Sequence, residues 1–295
     1  MDQQQLSKIA HGAGFFAALD QSGGSTPKAL ELYGVPPSDY HGDDEMFDLM
    51  HAFRERIITS PAFTGDRILG AILFEQTMVR DIDGVPAPRY LWDRKNIVPF
   101  VKVDEGLAEE SGGVRLMKPF TRLEPLLERA AERRVFGTKM RSFISHADAD
   151  GVAAILDQQF RYAAQILDAG LVPILEPEVD IRSADKEKAE ELLKQGILDR
   201  LTRVPGGSSV MLKLSIPTVD DFYADLIDHP SVLRVVALSG GYSQEEADAR
   251  LARNHGLIAS FSRALVQDLR RDQSTAEFDR TLAAATTAIY NASVT

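Results

Sequence analysis

The sequence predicts a (β/α)8 barrel of the TIM class, and three observations carry that expectation. Eight short apolar runs can be read, at residues 15–20, 68–75, 98–105, 136–141, 172–178, 210–215, 233–239 and 257–262. Amphipathic segments with helical spacing separate them, and strands that alternate with helices imply a parallel sheet. Eight such units within 295 residues imply a sheet closed on itself. No Pro/Gly-rich linker or shift of composition marks a second unit, so residues 1–295 read as one barrel domain, with a C-terminal helix and tail from about 274.

The elements follow from local pattern. Residues 44–59 place Phe47, Met50, Phe53 and Ile57 on one helical stripe. Residues 151–169 repeat Val152, Ile155, Leu156, Ala163, Ile166 and Leu167, and residues 186–201 repeat Ala189, Leu192, Leu193, Ile197 and Leu201. Ser243-Gln-Glu-Glu246 and Ser274-Thr-Ala-Glu277 have the form of capping boxes, in which each side chain satisfies the other residue's amide at a helix start. The second opens a final helix over 274–290. Residues 30–44, with Gly34, Pro36, Pro37 and Gly42, read as an ordered loop before a helix.

Composition removes whole classes of function. A hydrophobic fraction of 44% and a mean hydropathy of −0.15 describe a globular chain with a sizeable core. The net charge of −11 and a pI of about 5.1 argue against general affinity for nucleic acid or an anionic membrane. The absence of cysteine removes disulfides, thiolate metal sites and thiol nucleophiles. The six histidines form no His-x-His or His-x-x-x-His pair, so neither a metal nor another cofactor is expected. The first residues lack the pattern of a signal peptide and no apolar run approaches membrane-spanning length, so the chain is expected in the cytoplasm.

Within the apolar run Ser-Ser-Val-Met-Leu-Lys-Leu-Ser-Ile-Pro, at 208–217, stands Lys213. A lysine inside a buried strand is costly, because an unpaired ammonium loses its hydration. It either snorkels or pairs with a carboxylate, or it is an amine nucleophile that forms a Schiff base with a carbonyl substrate. The other strand ends bear on that choice, because barrel enzymes carry their catalytic groups there. Strand one ends at Asp20 and strand two at Glu75, while strand three passes through Lys102. Strand four carries Lys139 and Arg141, strand five Glu176 and Glu178, strand seven Ser239, Gly240 and Gly241, and strand eight Ser260 through Arg263. Residues two apart on a strand share a face, so Glu176 with Glu178 and Lys139 with Arg141 converge if those faces point inward. Cations around Lys213 would lower its pKa from about 10.4 toward neutrality. An inert salt-bridge layer filling the barrel is the competing reading. Glu75 and Trp92 read as packing or supporting groups.

Two segments fit phosphate. Leu238-Ser-Gly-Gly241, followed by a helix start, offers free amides, and Arg263 could clamp the same anion. Asp20-Gln-Ser-Gly-Gly-Ser-Thr-Pro27 offers two more glycines and serines, with Lys102 as its cation. Placed at opposite sides of the mouth, they fit a substrate with a phosphate at each end.

Seven motifs, in order, carry a resemblance over residues 15–265. They are Ala-Leu-Asp20-Gln-Ser-Gly-Gly-Ser25-Thr, Val-Lys102-Val-Asp, Lys139-Met-Arg141, Val-Pro-Ile-Leu-Glu176-Pro-Glu178, Met-Leu-Lys213, Leu-Ser239-Gly-Gly-Tyr-Ser and Ser260-Phe-Ser-Arg263-Ala-Leu. Together they resemble class I fructose-bisphosphate aldolase, in its shorter bacterial form. The resemblance implies a lyase that reversibly cleaves fructose 1,6-bisphosphate to two triose phosphates in glycolysis or gluconeogenesis. It implies Lys213 as the Schiff-base lysine and Glu176, with Glu178 beside it, as the proton-transfer carboxylate. Asp20 and Lys139 orient the substrate hydroxyls. Ser239, Gly240, Ser262 and Arg263 hold the phosphate on the dihydroxyacetone half, with Gly241 and Ser260 beside them. Ser22, Ser25 and Lys102, with Arg141 nearby, hold the other phosphate. Three positions depart from the animal pattern: Gln21 where an acid is expected, Met140 where an aromatic is expected, and no terminal tyrosine, which leaves Tyr290 as the nearest candidate for enamine proton exchange. The competing functions are a barrel isomerase or epimerase acting on a sugar phosphate, and a non-catalytic phosphosugar-binding protein. A monomer or a homo-oligomer is expected.

Overall fold

The computed structural model describes residues 2–295 and contains a closed, eight-stranded parallel barrel. Its strands are β1 (Phe15–Leu19), β2 (Ile68–Leu73), β3 (Val98–Lys102), β4 (Gly137–Ile144), β5 (Val172–Val179), β6 (Val210–Ser215), β7 (Val232–Leu238) and β8 (Ile258–Phe261). Each neighbours the next in sequence, and β1 pairs with β8 through Phe16↔Ser260 and Ala17↔Phe261, which closes the ring. Eight of the expected runs are these strands. The chain order is the spatial order because a parallel strand must be reached by a crossover, and each crossover here carries helix.

The strand residues alternate between two environments with period two. Phe16, Ile72, Val98, Phe100, Ile174, Met211 and Val236 form the cluster inside the barrel, whereas Phe15, Ala17, Ala71, Val101, Leu175, Leu212 and Ala237 join the layer under the helices. The inside is close-packed near the strand starts: the Phe16 and Phe100 rings lie 5.3 Å apart, and Phe136 meets Phe100 at 5.5 Å. Gly137 makes room for this, since a Cβ there would sit 2.7 Å from the Phe100 ring and 2.2 Å from the Val172 carbonyl oxygen. Toward the strand ends the same inward face changes from apolar to charged. The barrel therefore has an oily floor and a polar mouth.

The floor is closed by helix Gln3–His11, with Ile9 fully buried in the inner cluster. Arg234 holds it there, donating to the carbonyls of Ile9 at 3.0 Å and Gly12 at 2.6 Å. This helix was not legible in the sequence, because Gln-Gln-Gln-Leu-Ser-Lys-Ile-Ala-His offers few apolar residues for a periodic signal. Helix Gly42–Thr59 begins two residues before the expected one, helix Ala149–Asp168 spans nearly the expected range, and Lys186–Leu201 matches it. Residues 30–44 contain more structure than a loop. Thr26–Tyr33 is helical, with Pro27 tolerated in its first turn, and Pro37–Asp39 forms a 3-10 turn. Ser274 and Glu277 form the full capping box of helix Thr275–Ser293, whereas Ser243 receives only the Glu246 amide.

Candidate active site

The mouth opens on a cavity of about 570 Å3, a volume within the usual range for a small-molecule site. Asp20, Lys102, Lys139, Arg141, Glu176, Glu178 and Lys213 line it, as do Ser22, Ser25, Ser239, Gly240, Gly241, Ser260, Ser262 and Arg263. Every residue singled out for imine formation, hydroxyl orientation or phosphate binding is thus brought to one place.

At the bottom of the cavity lies a buried chain of charges. Glu176 stands between two lysines: one carboxylate oxygen is 3.0 Å from Lys213 Nζ, the other 3.0 Å from Lys139 Nζ. Lys139 also reaches Asp20 at 2.7 Å and Asp104 at 3.8 Å. Burial acts on Lys139 to expel its charge, but the surrounding carboxylates of Asp20, Glu176 and Asp104 outweigh it and hold the ammonium protonated. Burial likewise acts to raise Asp20, and the charges of Lys139, Lys213 and Lys102 override it, so Asp20 is held well below the ordinary carboxylate range. Of the carboxylates and cations expected around Lys213, the one within ion-pair reach is a carboxylate, Glu176.

A second layer sits nearer the lip. Arg141 donates to Glu178 in a close ion pair, and Lys102 is held by Asp104 through its carboxylate at 2.8 Å and its backbone carbonyl at 2.7 Å. Asp104 accepts the Arg141 backbone amide as well. It belongs to the Val-Lys102-Val-Asp motif but was given no role there, although it stands two residues from Lys102 and so on the same strand face. Arg54 was missed as well. It stands on helix Gly42–Thr59, outside the barrel, yet is 1% exposed and donates to Thr77 Oγ1 and to the Gln21 carbonyl. Burial lowers its pKa and the Asp20 charge opposes that fall.

The loops differ from expectation in one respect. Barrel closure makes β1 and β8 neighbours, so the segment after Asp20 does not face the β8 loop across the mouth. It touches it: Gln21 Nε2 donates to Ser262 Oγ at 2.5 Å. Ser22 and Ser25 satisfy one another in a reciprocal cap. The Ser260 hydroxyl is buried without a partner among the described residues. In the β7 loop Gly240 has φ +59, a conformation glycine adopts freely, and a Cβ there would meet Ile181 Cγ2 at 2.6 Å.

Three residues named from the sequence lie away from the mouth, and of these only Tyr290 had been given a catalytic role. Glu75 begins a helical turn and pairs with Arg129 and Arg122, outside the cavity. Strand β2 therefore contributes no charge to it. Met140 points the other way from Lys139 and is fully buried in the outer core. Tyr290 packs against that core from helix Thr275–Ser293 and does not line the cavity.

The relative placement of Glu176 and Lys213 has its own support. Strands β5 and β6 pair only through Ile174↔Met211 and Leu175↔Leu212. Past that point the Ser215 hydroxyl bridges them, donating to the Val179 carbonyl at 2.7 Å and accepting from the Val179 amide at 3.0 Å. Lys186 then donates to the Ile216 carbonyl at 2.9 Å, and Glu190 accepts the Thr218 amide at 3.0 Å, which fastens the chain as it leaves β6.

Known proteins are similar to this chain in sequence and fold. The family described as fructose-bisphosphate aldolase class-I matches residues 4–213. The chain belongs to the class I fructose-bisphosphate aldolase family. Relatives named fructose-bisphosphate aldolase class 1 include one from Synechocystis, 58% identical over 100% of this chain and 98% of its own length, and one from Clostridium acetobutylicum, 57% identical over the full length of both. The aldolase barrel also appears among solved structures. A fructose-bisphosphate aldolase from Plasmodium falciparum, in complex with TRAP and a small-molecule inhibitor, superposes with a TM-score of 0.71 at 20% identity, over 98% of this chain and 92% of that one. An archaeal fructose-1,6-bisphosphate aldolase, whose catalytic lysine carries a carbinolamine intermediate, gives 0.51 at 13% identity, over 97% and 98%. At such identities the two establish the shared fold.

Proposed function

We propose that this aldolase-family chain, acting as one barrel domain, cleaves fructose 1,6-bisphosphate reversibly into dihydroxyacetone phosphate and glyceraldehyde 3-phosphate through an imine on Lys213. The observation that carries this reading is the Lys213–Glu176–Lys139–Asp20 chain at the bottom of a cavity with phosphate-binding loops at its rim. Lys213 must lose a proton before its nitrogen adds to the C2 carbonyl, and the Glu176 carboxylate 3.0 Å away is the acceptor. The adduct is a carbinolamine. Protonating its hydroxyl and expelling water gives the iminium.

Removing the C4 hydroxyl proton then lets the C3–C4 pair flow into the iminium. The aldehyde half leaves as glyceraldehyde 3-phosphate, and an enamine remains on Lys213. Protonation at C3 and hydrolysis release dihydroxyacetone phosphate and restore the lysine. Lys139 stands between the Asp20 and Glu176 carboxylates, at 2.7 and 3.0 Å, and offsets their charges as protons move between substrate and enzyme. Ser239, Gly240, Gly241, Ser260, Ser262 and Arg263 hold one phosphate, and Ser22, Ser25, Lys102 and Arg141 hold the other. Arg141 and Lys102 exchange part of their present pairing with Glu178 and Asp104 for the substrate anion. The acidic, cysteine-free composition supports a cytoplasmic setting.

Reductive trapping tests the reading. The protein is incubated with dihydroxyacetone phosphate and borohydride in EDTA, and the adduct is mapped by mass spectrometry. The expected adduct lies on the peptide carrying Lys213 and disappears in a folded Lys213→Ala variant. An adduct confined to Lys139, or full turnover by Lys213→Ala, overturns it.

A further inference from the structure

At the opposite end of the barrel, away from the mouth, lies a cleft of about 420 Å3. Helix Gln3–His11, helix Ala87–Lys95 and the turns at 131–136 and 169–171 enclose it. None of the chemistry derived above uses it, yet two of its polar side chains, Gln5 and Arg134, have no side-chain partner among the described residues, and Trp92 turns part of its surface toward it. Gln5 is 4% exposed, lines the cleft, and its carboxamide makes no hydrogen bond with the described residues, although its backbone amide does. Its side-chain polar atoms are presented to the cleft rather than to a protein partner. Trp92, the single tryptophan of the chain, is half-buried with its body against the inner cluster and its remaining surface in the cleft. Arg134 is exposed, adopts a left-handed backbone at φ +59, and forms no ion pair among the described residues. The acids nearby are engaged: Asp2 caps the first helix through the Gln4 and Gln5 amides, and Asp93 faces Arg89 at 3.6 Å. With Arg89 paired to Asp93, the cation of the cleft that has no carboxylate partner among the described residues is Arg134.

We propose that this cleft is a second ligand site, for a planar nitrogen heterocycle that carries a phosphate, the chemistry of a nucleoside monophosphate. An indole stacks on any such ring. A glutamine carboxamide presents a donor and an acceptor side by side, the pattern that matches the amino and ring nitrogens of adenine. A guanidinium takes a phosphate through paired N–H groups. The volume lies in the range of small-ligand sites. The occupant touches Phe136 and Leu171, the residues that lead into β4 and β5 at the far end from Lys139 and Glu176.

Because Trp92 is the only tryptophan, its fluorescence reports this cleft and no other part of the chain. Titration with adenosine monophosphate is expected to give a saturable change, with adenosine and inorganic phosphate each weaker by about tenfold or more. Gln5→Leu keeps the side chain's bulk, and Arg134→Gly suits the left-handed backbone. Both are expected to retain the parent melting temperature and to weaken binding by about tenfold. Arg263→Ala, which removes a cation of the mouth, leaves the signal as it was. No saturable change overturns the proposal. So does a change that survives Arg134→Gly and is lost in Arg263→Ala, which would place the nucleotide at the mouth, or one that inorganic phosphate produces equally well.

Discussion

Replacing Lys139 with methionine removes one buried charge while keeping most of the side chain's length. The ammonium lies 2.7 Å from Asp20, 3.0 Å from Glu176 and 3.8 Å from Asp104, so its loss leaves three carboxylates facing one another. Breaking a buried ion pair from one side costs about 3–5 kcal/mol, against the roughly 5–15 kcal/mol that holds a domain together. For a chain of this size that corresponds to a fall in melting temperature of roughly 6–20 °C. The pH dependence separates this cause from simple loss of packing. In the parent, Asp20 titrates below its unfolded value of about 3.9, so it contributes stability that is present above that value and lost as pH falls through the lower folded one. Without Lys139 the effect of burial prevails and the folded pKa of Asp20 rises above the unfolded one. The penalty is then complete above the raised value and relaxes as pH falls toward about 4. Scanning calorimetry of both proteins should show a larger deficit near pH 8 than near pH 5, the two values being about the ends of the useful window. A deficit under about 2 °C, or one equal at both ends, would refute the electrostatic argument.

Two further substitutions probe how the site is held. Ser215→Ala strands the buried Val179 amide and carbonyl, costs about 1–3 kcal/mol, and loosens β5 against β6. It should lower kcat more than it changes KM, with Ser215→Thr recovering part of the rate; a lower melting temperature at unchanged kcat would make the hydroxyl purely structural. Gly240→Ala forces a side chain into φ +59 and against Ile181, at a cost of about 1–2 kcal/mol. Steady-state kinetics should show KM and inhibition by inorganic phosphate each weakened by about tenfold while Lys213 remains trappable by borohydride; unchanged KM would remove the β7 loop from phosphate binding.

Much of the chain could be read locally. The strand starts were legible because a buried parallel strand is a short apolar run, and the inward residues because the side-chain period is two. That pairing brought Lys139 with Arg141, and Glu176 with Glu178, to the mouth before any tertiary contact was known. Helix Gln3–His11 was not legible, since a helix that plugs a barrel floor with Ile9 and the half-buried Leu6 needs only a short apolar face. Glu75 stands at the end of a strand run and was read as a packing or supporting group; the chain enters a helical turn there and gives Glu75 to Arg129.

The sequence by itself determined the barrel, its order of strands and the set of polar groups at its mouth, because these follow from periodicities within single segments. Only the tertiary structure decided which of those groups face one another. Ring closure joined the first loop to the last through Gln21 and Ser262, and burial drew Arg54 in from a position with no local signature. The choice of Glu176 as the common neighbour of two lysines belongs to the same level. Ion pairing depends on distance and desolvation between segments far apart in the chain, and neither is written in the spacing of residues along it.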